Sequence, residues 1–582
     1  MRTNVLAVLA ALLLLLVVGA GTAAASEPTQ AVGQDAASAQ SASSNANATQ
    51  VAPSNTNTDV RIFSPGDSGD VQQTNAAGAL AIAGNANQTS QSASQDQSGA
   101  GTQAAGQDAS NQQSAEADAD ATQVAPSNEN ISVRIKSPGN DGDVTQTNAA
   151  AAVGAAGNAN STAQAAEQAA GGGGGTQAVG QSAKNEQSAD ADANATQIKP
   201  SNSNISVRIG SPGNGGNVTQ TNAALGAAAA GNANGTSQSA GQSQDGGSCK
   251  CGGGGVQAIG QDASSRQGAE ADADAVQYKP SNDNTSVRIH SPGDDGDVTQ
   301  TNVAGALAIA GNANVLEQSA DQSQGGGMDA KCGCHGTPVQ AVGQFADSKQ
   351  SADADATAKQ IKPSNTNTPV RIGSAGDSGS VTQTNAALAG ALAGNLNLTG
   401  QSATQSQAGA GGVQAIGQDA SNKQYADADA TAFQLKPANT NAPVSIGDGG
   451  HGRKHECGCD ERKAAGGSGG DVTQTNLAAA AGIALNANLL DQSADQSQGG
   501  GMDAKCGCHG NGGTQAIGQS AWNKQDADAS ANAFQLWAAN DNAPVRIGSR
   551  GDSGYVTQTN AALAFALAAN LNKTNQEATQ QQ

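Results

Sequence analysis

Bulky apolar side chains are scarce in this 582-residue chain: Phe, Tyr and Trp together make up 2%, and Met occurs three times. An ordinary globular core of that length is thereby excluded, because such side chains supply most of the burial free energy, about 25 cal/mol per Å² of apolar surface. Basic residues are few as well, 27 Lys and Arg against 49 Asp and Glu, for a net charge of -22. A surface of that sign repels phosphate backbones, which argues against nucleic acid as a partner and leaves solubility or cation binding as uses for the charge. His occurs only five times and at no position kept through the seven units, and the chain has no Gly-x-x-x-x-Gly-Lys loop and no His-Glu-x-x-His pair. The chain therefore reads as non-enzymatic, with no cofactor beyond possible divalent cations.

Long apolar runs are confined to the start. Arg2, an apolar run from Val5 to Val18, and small residues at Ala23 and Ala25 read as a secretory signal peptide over residues 1–25. No later segment offers the ~20 apolar residues a spanning helix needs. The mature chain is expected outside the cell or on its surface, with no transmembrane span.

Gly, Ser, Gln and Asn are abundant, which suggests disorder until the repeats are seen. "QAVGQ" or a close variant begins at Gln30, Gln103, Gln177, Gln257, Gln340, Gln414 and Gln515, giving seven units of about 74 residues or more. They occupy 26–101, 102–175, 176–255, 256–338, 339–412, 413–513 and 514–582, the sixth carrying an insertion at 447–470. Within a unit, amides and alanines share one parity while charges and hydroxyls share the other. From Gln103 to Gln123 the odd positions carry only Gln, Asn and Ala, and the even ones include Asp108, Glu116, Asp118 and Asp120. That alternation is a strand signal, since a helix would scatter both classes around its circumference. The later stretch "VTQTNAALGAAAAGNANGTSQSAGQSQ", Val218 to Gln244, keeps the rule. Between the two, "PSNSN" and "SPGNGG" supply turns, and "ISVRI" is a short strand with Ile205, Val207 and Ile209 on one face. Strands usually run 3 to 10 residues, so each long half is expected to bend into two or more, with corners at "GNAN".

A strand unit that cannot bury its own face is stable only when copies stack. Stacking at ~4.8 Å lets each amide bond to the copy above and below. The pattern predicts an all-β repeat fold, a β-solenoid with a core of Gln/Asn ladders and Ala. The ladder residues are Gln73, Asn75, Gln146, Asn148, Gln220, Asn222, Gln300, Asn302, Gln383, Asn385, Gln474, Asn476, Gln558 and Asn560. "GNANGTSQSA" and "GQDASNQQSA" carry Asn-x-Asn-x-x-x-Gln and Gln-x-Ala-x-x-x-Gln. In this they resemble the curlin repeat of bacterial curli, although the unit here is longer and the leading Gln-x-Gly is not kept. The resemblance implies an exported subunit of an amyloid-like surface fibre that supports biofilm or adhesion and associates with itself.

The eight Cys form Cys-x-Cys pairs in glycine-rich joints or turns: Cys249 and Cys251, Cys332 and Cys334, Cys457 and Cys459, Cys506 and Cys508. In an oxidising exterior these are disulfide candidates. With His335, His451, His455 and His509 they are also candidate ligands for a soft metal, though a tetrahedral site needs four ligands and each joint offers about three. Free thiols are the third option. The "DADAD" carboxylates, such as Asp118 and Asp120 or Asp272 and Asp274, would stack into an acidic ladder on an outer face. That ladder serves solubility or, with turns such as Asp294, Asp295 and Asp297, loose divalent-cation binding. Thr219 and Thr221 are expected outside, a Thr-x-Thr pair of the kind found on ice-binding surfaces.

Overall fold

The computed structural model describes residues 29–99, 101–171, 175–245, 255–325, 338–408, 412–447, 469–499, 513–549 and 552–581. The signal-peptide reading of residues 1–25 falls outside them.

Among the described residues every regular element is a strand, and the strands form three parallel sheets. Each coil contributes to each sheet; in the third coil the segments are Thr176–Ile198, Ser201–Ile209 and Val218–Gln244, and in the sixth and seventh coils the second-sheet segment is split into two short strands. Coils stack in chain order and in register, so that Gln177 lies beside Gln103 of the coil before and Gln257 of the coil after. The chain is thus an all-β solenoid, rising by one strand spacing, ~4.8 Å, per coil.

Parity explains the layering. The amide-and-alanine face of the first sheet turns inward and meets that of the third: Ala117, Ala119 and Ala121 pack against Ala150, Ala152 and Ala156. Methyl-sized side chains let the two sheets approach closely. At Gly226 even a methyl would not fit, since a Cβ there would lie 2.5 Å from the Asp274 carbonyl and 2.9 Å from that of Ala193.

One expectation is corrected. The long halves do not bend at Gly-Asn; they run as single strands of 23 residues in the first sheet and 26 to 28 in the third. Asn158 of "GNAN" instead reaches across the slab between them, donating to the Ser188 carbonyl at 2.6 Å.

The corner comes later, at one left-handed residue between first and second sheets: Ala52, Ala125, Lys199, Lys279, Lys362, Lys436 and Trp537 have φ between 48° and 54°. Six of the seven precede a Pro, which supplies the fixed φ that continues the turn. Beyond it the second sheet turns Asn202, Asn204 and Arg208 inward, and Ile205, Val207 and Ile209 face outward. There the layers diverge around a cavity of about 420 Å³, which runs along the axis past the first five coils between the second sheet and the Gly and Val residues that open the third.

Candidate functional site: the ladder ends and two outer faces

The inner amides form continuous rungs. Gln146 donates through Nε2 to Gln73 Oε1 at 2.8 Å, and Gln220, Gln300, Gln383, Gln474 and Gln558 each donate to the Gln before at 2.7–2.9 Å. From Gln73 to Gln474 the second hydrogen of each amide is used too: Gln220 also donates to the Asp283 carbonyl across the slab at 2.9 Å. Asn75, Asn148, Asn222, Asn302, Asn385 and Asn476 form a neighbouring ladder ending on Asn560, with bonds of 2.8–3.0 Å. Parallel Gln ladders start at Gln30, Gln34, Gln40 and Gln50 of the first sheet. Parallel Asn ladders start at Asn55, Asn57, Asn85 and Asn87. Unmade bonds here would cost about 1–3 kcal/mol each.

The ladders have direction, and the two amides run oppositely. Along the ladders each Gln donates to the Gln of the coil before, and each Asn donates to the Asn of the coil after. At the first-coil end, therefore, Gln34, Gln40, Gln73 and Gln91 present N–H donors, and Asn57 and Asn75 present carbonyl oxygens. At the last-coil end, Gln519, Gln525, Gln558 and Gln576 present carbonyl oxygens, and Asn542, Asn560, Asn570 and Asn572 present N–H donors. The two ends are complementary rung by rung, and both are edges of all three sheets among the described residues.

The two broad faces differ. On the first sheet, Asp118, Asp192, Asp272, Asp355 and Asp429 stack in one column, with Asn45 before and Ser530 after. Glu116, Asp190, Glu270, Asp353, Asp427 and Asp528 form the next column. Desolvation, then repulsion from neighbouring carboxylates, pushes Asp272 up to about 7 and Asp190 and Asp353 up to about 6. Asp192, Asp355 and Asp429 are raised for the same reasons. In the turn, Asp295 is paired with Arg288 and Arg371. Asp294 and Asp297 accept backbone N–H groups of Asp377 and Ser380 in the next coil, both at 2.8 Å. Among the described residues no group of three or more His, Cys, Asp and Glu is arranged to hold a metal ion.

The third sheet's outer face is apolar. Leu80, Val153, Leu225, Leu307, Leu388 and Phe565 are exposed on it, and no charged residue occurs from 76 to 86 or at the equivalent positions of any coil. Beside this stripe, Thr219 and Thr221 lie outside, in register with Thr299 and Thr301 above and Thr145 and Thr147 below. Stacking places one such pair on each strand rung from the second coil onward, the first coil having Gln72 at the first position, a far denser array than spacing along the chain suggests.

Cys249, Cys251, Cys332, Cys334, His335, His451, His455, Cys457, Cys459, Cys506, Cys508 and His509 all lie outside the described residues. What sequence reasoning missed is the column of buried arginines in "VRI": Arg134, Arg208 and Arg288 are at most 1% exposed. The signal was present, since these arginines share inward parity with Asn202 and Asn204, but the flanking Ile and Val drew attention to the other face.

No helix among the described residues is long and apolar enough to cross a membrane. No family model, curated protein or solved structure matches the chain.

Proposed function

We propose that this protein is an exported structural subunit that stacks end to end into an extracellular amyloid-like fibre of a biofilm matrix or envelope layer, with an adhesive role. The observation that carries the reading is the complementarity of the two ends: a second copy placed on the last coil continues every ladder without a change of register. Exposed parallel edges of this kind recruit strands. The resemblance of the amide pattern to the curlin repeat supports the same reading. The apolar outer face of the third sheet suits lateral packing or attachment, because monomers rarely expose contiguous apolar patches beyond a few hundred Å².

The test is electron microscopy and amyloid-dye binding of the purified mature protein. Fibres are expected from the natural chain. Gln519→Lys combined with Gln558→Lys, which places two charges in the last rung where the monomer leaves them in water, is expected to give folded monomers and no fibres. Persistent monomers of the natural chain would overturn the reading.

A second reading, ice binding, gains support from the stacked Thr pairs. Thermal hysteresis that Thr219→Val and Thr299→Val leave intact would remove it.

A further inference from the structure

The arginines at the corner are short of counter-ions. Arg134, Arg208, Arg288 and Arg371 occupy successive coils at one position of the second sheet, each 4% exposed or less. Like charges stacked one strand spacing apart inside a protein need buried partners. Two carboxylates serve these four groups. Asp141 accepts from Arg134 Nε at 2.7 Å and from Arg208 Nη1 of the next coil at 3.1 Å. Asp295 does the same for Arg288 Nε at 2.5 Å and Arg371 Nη1 at 3.2 Å. Backbone carbonyls take most of the remaining donors: Arg208, for example, donates to Asn214 and Gly139.

In the third coil the position of Asp141 and Asp295 is held by Gly215, so the bridge that would join Arg208 to Arg288 has no side chain. Arg208 Nε, whose counterparts in Arg134 and Arg288 bond that carboxylate, has no protein acceptor. From the other side, Arg288 Nη2 lies 3.2 Å from where a Cβ of Gly215 would stand, and the backbone N of Gly296 lies 3.1 Å from it. Gly215 also lines the axial cavity, beside Ser206, Ser286 and the two carboxylates. Arg288 Nη2 and the Gly296 N–H thus stand beside this position, and Arg208 Nε faces it by analogy with the Arg134 and Arg288 Nε groups, which bond the carboxylate there. The fifth coil is similar, with Ser378 at the carboxylate position and Arg371 Nε lacking a protein acceptor.

We propose that the space at Gly215 binds a small monovalent anion of chloride size, which bridges Arg208 Nε and Arg288 Nη2 as Asp141 bridges Arg134 and Arg208. Desolvation, followed by the neighbouring arginines, lowers the pKa of Arg208 to about 10 against the pull of Asp141, which fits a cation lacking part of its counter-charge.

The experiment is chloride-35 NMR on the full chain, following the line width of added sodium chloride. Saturable broadening is expected in the natural protein. It is expected to fall in Gly215→Asp, where a tethered carboxylate takes the anion's place, and in Arg208→Met, which removes a host donor. Absence of saturable broadening in the natural protein would mean that water alone fills the space and would overturn the proposal. Equal broadening in Gly215→Asp would overturn it as well, by placing the anion elsewhere.

Discussion

The slab and the corner of each coil solve the same problem in opposite ways. In the slab, polar side chains are stacked without limit, because an amide carries donor and acceptor together and each copy satisfies the next. In the corner, stacked guanidinium groups repel one another, so Asp141 and Asp295 must intervene, each shared between coils. The slab therefore repeats almost unchanged, while the corner turn varies from coil to coil as Ser68, Asp141, Gly215, Asp295 and Ser378. The sixth coil places its insertion in that same turn, after Ile446. Self-complementary groups make a region uniform; groups that need an external partner make it variable.

Substitutions can break this comparison from either side. Asp141→Asn is expected to be the costliest, about 3–5 kcal/mol, since it leaves Arg134 and Arg208 without their shared buried counter-charge. Urea unfolding gives the value; a loss below 1 kcal/mol would mean that the backbone carbonyls alone hold these arginines. Gln220→Ala is expected to cost somewhat less, about 2–4 kcal/mol, by stranding the Gln146 side-chain carbonyl and opening a void in the slab.

Acidity acts on a third region, the carboxylate columns outside. Their folded pKa values, about 6 to 7 at Asp190, Asp272 and Asp353, stand above the ordinary 3.8. The folded chain thus holds protons more tightly than the unfolded one, so these groups favour folding most below the ordinary value, and that contribution is lost as pH rises through 7. The urea midpoint is expected to be higher at pH 5 than at pH 7.5, and Asp272→Asn should flatten the difference. The smallest effect belongs to Lys362, the left-handed residue between the first and second sheets, whose φ of 54° suits Gly better than Lys. Lys362→Gly should raise stability by less than about 1 kcal/mol, read as a small upward shift in the thermal midpoint.

Much of the fold was legible in the sequence because parity is a local property: the alternation in "QSADADANATQ" identifies strand and face without knowledge of any partner. Strand length was not legible. Whether Gly231-Asn232 is a corner or a rung depends on the sheet opposite, and Asn232 proves to be a cross-slab donor to the Gly268 carbonyl at 2.6 Å. The inward turn of Arg208 was obscured for a related reason, as an apolar Ile-x-Val-x-Ile face is ordinarily the buried one. Here the corner opens around a polar cavity, and the apolar face is left outside. The direction of the ladders is not encoded in residue type at all, since either orientation of an amide fits the same letter.

That direction has a consequence for length. A column of aligned amides is a column of aligned dipoles, and in a helix such alignment accumulates partial charge at the ends. Because the Gln and Asn columns of this solenoid point opposite ways, their fields largely cancel along the axis. Adding another coil, from this chain or from the next, lengthens the rod without charging its tips.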